Sequence, residues 1–342
     1  MEDLKNKDFI KNPNLKLKEV IKEMDCCFGI NDIFDVYYNR KENNELYLIS
    51  ADINYTISVI RIRDKQLVKS LPCTQNKEIK MIKHFYNNKY NKDFLISSCK
   101  GSEIKIWDLS NNYNLIHSLK IDYSQNSIIF SGLLYFSENN GDYIITCSNC
   151  NENNDFTKIY NFNDGNFIEN LENTNRFDIY YLLLWNRDEN NDYLIQCSLG
   201  TIFIHNLQNK KLFQILRKEN KSTIHNSACL IKNDGTDYLY VVNVNGLIDV
   251  WNLNTFQLKQ SIEYFKSYFY HIISWNKRYI LVAEKSNSSI LVIDTMYNRV
   301  ITVFKEIHKS FVNSLKKIDH PIYGESLLSC DFDNKILLWT HL

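Results

Sequence analysis

The amino-acid sequence predicts an all-β fold: one array of seven four-stranded antiparallel units, the last closed by an amino-terminal strand. Three observations predict it. A pair of short apolar strands recurs seven times in 342 residues, the copies keep a regular spacing, and the last copy runs out of chain before its fourth strand.

The recurring pair is Tyr47–Ala51 with Ile57–Arg61, then Phe94–Ser98 with Ile104–Asp108, then Tyr143–Cys147 with Thr157–Asn161. It continues as Tyr193–Cys197 with Ile202–Asn206, Tyr238–Val242 with Ile248–Asn252, Tyr279–Ala283 with Ile290–Asp294, and Ser326–Cys330 with Ile336–Thr340. Taking the fourth residue of each second strand as a marker, positions 60, 107, 160, 205, 251, 293 and 339 are separated by 47, 53, 45, 46, 42 and 46 residues. A sustained period of this size marks a repeat architecture. The first strand of each pair is an almost unbroken apolar run, as expected of a strand buried on both faces. Its fifth position holds only small or β-branched side chains (Ala51, Ser98, Cys147, Cys197, Val242, Ala283, Cys330). That column marks a crowded place, read as strands converging near a central axis.

Another strand precedes each pair, at Ile33–Tyr38, Ile79–Ile82, Leu133–Phe136, Tyr181–Trp185, Ala228–Ile231, His271–Trp275 and Ser314–Ile318. A fourth follows the marker, as in Leu67–Leu71, Leu115–Leu119, Phe167–Leu171 and Leu212–Leu216. Beyond Trp339 only Thr340, His341 and Leu342 remain, so the seventh unit lacks its fourth strand. The segment Asn14–Ile21 resembles the fourth strands and is expected to pair beside Ile336–Trp339, closing a ring without an unpaired edge. Residues 1–13 then form a polar arm and residues 14–342 a single domain.

Four short strands per unit, with an aromatic residue near the end of the third, resemble the WD-repeat β-propeller family. The likeness is carried best by Ile104-Lys105-Ile106-Trp107-Asp108 and by Asp333-Asn334-Lys335-Ile336-Leu337-Leu338-Trp339-Thr340, and extends over the chain from about residue 14. It implies a seven-bladed propeller. In that family a buried His, Ser or Thr, Asp and Trp commonly form a hydrogen-bonded tetrad; the matching residues of the seventh unit are His308, Ser329, Asp333 and Trp339. The other units depart from it: Ser97 and Trp107 accompany Gly101, Trp251 accompanies Val241 and Asn245, and Tyr160, His205 and Ile293 stand in the Trp column. The chain reads as a divergent member.

Lys+Arg and Asp+Glu both number 40, so no net field gathers phosphates or anionic lipid, and neither nucleic acid nor membrane is an expected partner. Arg61-Ile62-Arg63-Asp64 lacks the adjacent arginine pair with which some related propellers bind phosphoinositides. No apolar run suits a signal peptide or a membrane helix, and nine cysteines in no regular framework suit reduced thiols, so a cytoplasmic or nuclear protein is expected. Cys147-Ser148-Asn149-Cys150 has the spacing of two zinc ligands or a redox pair, but no second pair completes a site, and Cys147, Cys197 and Cys330 share the small-residue column of the core. The eight histidines are scattered, and neither a phosphate-binding glycine loop nor a nucleophile elbow is present. No catalytic residue, metal or cofactor is expected.

What remains is the rim, where loops carry function on a rigid scaffold. Loops between the second and third strands are expected to display Tyr55, Lys100, Phe156, Asn243, Lys285 and Phe332 on one face. Aromatics near charges suit a protein or peptide partner. The expected function is a non-enzymatic scaffold, a monomeric propeller within a larger intracellular complex. Two other functions stay open: a small molecule bound or processed in the central channel, and a chromatin or RNA adaptor whose basic residues cluster only in space.

Overall fold

The computed structural model describes residues 13, 15–22, 33–51, 55–73, 77–100, 103–120, 128–137, 141–149, 157–171, 179–188, 191–218, 223–264, 267–305, 308–333 and 335–341. Among these residues twenty-eight strands form seven antiparallel sheets of four. Strand β1 (Lys16–Lys22) precedes blade 1, which comprises β2 (Phe34–Asn39), β3 (Glu45–Ala51), β4 (Thr56–Arg61) and β5 (Gln66–Pro72). Blade 2 comprises β6 (Ile79–Asn87), β7 (Lys92–Cys99), β8 (Glu103–Asp108) and β9 (Asn114–Lys120). Blade 3 comprises β10 (Ile128–Ser137), β11 (Gly141–Asn149), β12 (Thr157–Asn161) and β13 (Phe167–Leu171). Blade 4 comprises β14 (Ile179–Asp188), β15 (Asn191–Ser198), β16 (Thr201–Asn206) and β17 (Lys211–Arg217). Blade 5 comprises β18 (His225–Asn233), β19 (Thr236–Asn243), β20 (Leu247–Asn252) and β21 (Gln257–Glu263). Blade 6 comprises β22 (Phe269–Ser274), β23 (Tyr279–Glu284), β24 (Ser289–Asp294) and β25 (Arg299–Phe304). Blade 7 takes β26 (Val312–His320), β27 (Gly324–Asp331) and β28 (Ile336–Thr340), and its fourth strand is β1.

The closure follows the expected pairing, and its register sets Leu17 opposite Trp339 and Val20 opposite Leu337, with two bulges between Lys16 and Lys22. Leu15 and Ile21 are buried at the two ends of this strand, one against blade 6 and the other against blade 1. The expected arm over residues 1–13 lies, apart from Pro13, outside the described residues.

Packing explains the unbroken apolar runs. Successive side chains on a strand point to opposite faces, and both faces of each blade meet a neighbouring blade. Leu48 packs towards blade 7 and Ile49 towards blade 2; Leu95 faces blade 1 and Ile96 faces blade 3; Leu327 faces blade 6 and Leu328 faces blade 1. The fourth strands, at the rim, are mostly exposed.

The axis is lined by a different strand from the one expected. The first strands of neighbouring blades touch one another around the whole ring, from β2 and β6 to β26 and back to β2. The small-residue column sits one strand farther out, on the second strands, where blades press together. Side chains also latch the inner ring. Asp35 accepts the His84 N–H at 2.8 Å, Ser131 the Leu182 N–H at 3.2 Å, Ser227 the Ile272 N–H at 3.4 Å, and His271 Nδ1 the Leu315 N–H at 3.2 Å. Each bond joins one blade to the next. Gly132 lets β10 approach blade 2 closely: a Cβ there would stand 3.1 Å from Met81 Cε and 3.3 Å from Ile96 Cδ1.

Candidate functional site: a loop face over blades 6 and 7

The loops before each first strand and those after each second strand share one face, because they bond to each other. Lys100 N–H donates to the Glu78 carbonyl at 2.8 Å, Lys285 N–H to Tyr268 at 2.9 Å, and Phe332 N–H to Phe311 at 3.0 Å.

In blade 7 a buried network fixes this end. His308 Nδ1 lies 2.8 Å from Asp331 Oδ2, His308 Nε2 lies 2.7 Å from Ser329 Oγ, and Trp339 Nε1 donates to Ser329 Oγ at 2.7 Å. One tautomer satisfies every member: Nδ1–H donates to the carboxylate, and the Ser329 hydroxyl donates to Nε2 while accepting from the indole. The acid is therefore Asp331, not Asp333. Asp331 occupies the last rung of the ladder, opposite Val312, and its side chain is turned into the blade, whereas Asp333 is exposed in the following turn. The Asp333 and Lys335 N–H groups donate to Asp331 Oδ1 at 3.1 and 2.9 Å, so one carboxylate holds both the tetrad and the turn that carries Phe332.

Blade 6 meets the same requirement with a different acid. Glu284 stands on the equivalent last rung, opposite Phe269, and is buried. It accepts from Ser267 Oγ at 2.6 Å and Asn287 Nδ2 at 2.9 Å, and from the Ser289 hydroxyl. This anchors the loops that carry Tyr268 and Lys285.

Above the two anchors the loop side chains converge. The Lys285 ammonium lies 5.0 Å from the Tyr268 ring centre, 5.1 Å from Phe311 and 5.8 Å from Tyr270. Phe332 packs against Tyr270 at 5.5 Å and Phe311 at 6.0 Å. Tyr268 remains 50% exposed and Phe311 39%. Lys285 and Phe332, two of the expected face residues, thus meet through Tyr270 and Phe311, whose positions in aperiodic loops and at a strand end gave no pattern to read.

The other expected face residues are dispersed. Tyr55 and Lys100 are exposed on blades 1 and 2, and no contact among the described residues joins them to this cluster. Phe156 lies outside the described residues. Asn243 is not displayed: it is fully buried, accepting the Asn245 and Leu247 N–H groups at 3.0 and 3.1 Å, because an Asn side chain at a turn mimics a backbone acceptor.

On the opposite face a set of acids went unread in the sequence, although each directly precedes the aromatic residue of a second strand. Asp93 receives Arg40 at 2.8 Å, Asp142 receives Tyr90 at 2.5 Å and Lys89 at 3.3 Å, Asp192 receives Tyr135 at 2.7 Å, and Asp237 receives Trp185 Nε1 at 2.8 Å. Each donor comes from the preceding blade. The Asp142 carboxylate holds the Lys89 ammonium and the Tyr90 phenol above their ordinary pKa values. A cavity of about 450 Å³ opens nearby, lined by Phe85, Lys89, Phe136, Asn186 and Asp192, but its Lys89 and Asp192 are already engaged in these latches.

Cys147, Cys197 and Cys330 are buried, and burial pushes the Cys197 thiol up to about 12. Cys150 lies outside the described residues, among which no group of three or more His, Cys, Asp or Glu is disposed to hold a metal ion. Nor is any helix among them long and apolar enough to cross a membrane.

Fold and loop face together define a seven-bladed β-propeller with an aromatic loop surface anchored by two buried carboxylates. No protein-family model matches the chain, and no curated protein matches it.

Proposed function

We propose that the protein is a non-catalytic scaffold of the WD-repeat type, which takes protein or peptide partners on the loop face of blades 6 and 7 in the cytoplasm or nucleus. One observation carries this reading: exposed Tyr268 and Phe311 surround Lys285 on loops anchored from below by buried Glu284 and Asp331. Aromatic side chains on a stiff support present large contact area with little ordering cost, the usual make-up of an interaction hot spot. The His308–Asp331–Ser329–Trp339 network supports the WD-repeat reading.

The test compares partners captured by the wild-type protein, by Tyr268→Ala/Phe311→Ala, and by Ile322→Ala, which alters an exposed residue in the turn between β26 and β27. The scaffold reading expects partners lost from the first variant and kept by the second. Retention of the whole partner set by both would overturn it.

A further inference from the structure

We propose that the cluster around Lys285 is a recognition site for a peptide segment in which an Asp or Glu adjoins an apolar side chain; this rests on the scaffold reading above. Three ring faces lie within 6 Å of one ammonium group. The rings attract the cation and exclude water from around it, but they supply no counter-charge. Among the described residues no carboxylate forms an ion pair with Lys285, although other partly buried lysines have one: Lys218 with Asp249 at 2.7 Å and Lys316 with Asp35 at 2.6 Å. The adjacent Glu284 is committed inward to Ser267, Asn287 and Ser289. A carboxylate arriving over Lys285 would meet a half-buried charge whose field is strengthened by low-dielectric walls.

The remainder of the surface specifies what flanks that acid. Tyr268 and Phe311 leave ring area exposed beside the ammonium, and Tyr270 and Phe332 pack next to it. An aliphatic or aromatic side chain beside the acid fills this area. A carboxylate fits better than a phosphate ester, because a single ammonium lies over these rings and a dianion would bring a second, uncompensated charge among them.

The experiment is selection of random short peptides displayed on phage against the full-length protein, followed by fluorescence anisotropy with the synthetic consensus peptide. The expected consensus carries Asp or Glu next to a large apolar residue. Its affinity should fall about ten-fold or more, in Lys285→Gln or when its acid is replaced by the amide, with the two changes together costing little more than either alone. Lys285→Arg should retain most binding, and thermal melting should show each variant folded. An acid-free consensus, unchanged binding to Lys285→Gln, tighter binding when the acid is replaced by phosphoserine, or failure to enrich any peptide would each overturn the inference. The scaffold reading is judged separately by partner capture: loss of partners from Tyr268→Ala/Phe311→Ala alongside retention by Lys285→Gln would leave that reading standing and remove this one.

Discussion

Glu284 and Asp331 occupy the same structural position in adjacent blades: each is the last rung of its second strand, separated by a bulge from the next pair, and each turns its carboxylate into the blade. Blade 7 satisfies its acid with a histidine and two backbone N–H groups, and blade 6 with two serine hydroxyls and an asparagine amide. The requirement is a buried acceptor that ties two loops together. The donors are interchangeable.

Asp331→Ala should therefore destabilise the fold far more than Asp333→Ala. The first strands the His308 ring and two backbone donors, at a cost of about 2–4 kcal/mol, whereas the second trims an exposed side chain and should stay within about 0.5 kcal/mol. Urea unfolding followed by tryptophan fluorescence distinguishes them; equal effects would remove Asp331 from the tetrad.

The clasp should be sensitive to small deletions of apolar volume. Ile21→Ala, in a strand that closes blade 7 against blade 1, is expected to cost about 2–4 kcal/mol. Removing residues 1–22 should lower the melting temperature sharply and, by baring the edge of β28, produce aggregates visible in light scattering. Unchanged melting would mean that the ring does not depend on β1.

Burial holds the His225 imidazole near a pKa of about 4, against an ordinary 6.5; Asp249 and a bond to the Thr201 backbone pull the other way, and Lys218 adds a smaller push down. Between those values the unfolded chain binds a proton that the folded chain refuses. Stability contributed by His225 is then complete above pH 6.5 and is lost as pH falls towards 4, roughly 3 kcal/mol in all. Unfolding free energies measured across this range should flatten in His225→Asn relative to the wild type, and an unchanged slope would contradict the assignment.

The inter-blade acids predict a coupled loss. Asp142→Ala should cost about 1–3 kcal/mol and Tyr90→Phe less, with the double variant close to Asp142→Ala alone, since each removes the Tyr90–Asp142 bond between blades 2 and 3. Strict additivity in a double-mutant cycle would separate the two residues.

Blade number, strand count and ring closure were legible because they depend on apolar periodicity, which Leu48-Ile49, Leu95-Ile96 and Leu327-Leu328 display without ambiguity. The tetrad acid was not, because Asp331 and Asp333 share a parity on the chain and only the end of the ladder decides which faces inward. Asn243 looks like any loop asparagine until its turn is seen. The inner strand was misplaced because small side chains indicate crowding without saying where, and here the crowding lies between blades. Tyr268 and Phe311 are separated by 43 positions and belong to different blades, so no local pattern joins them.

The pairing of Lys16 with Thr340 sets the order in which the molecule can be completed. On a ribosome the strand Lys16–Lys22 is made before blade 1 and its partner Ile336–Thr340 after the first six blades. Leu15 and Ile21 must therefore wait, without their final burial, through the synthesis of six blades, and the pairing that makes the ring whole joins strands far apart in the sequence.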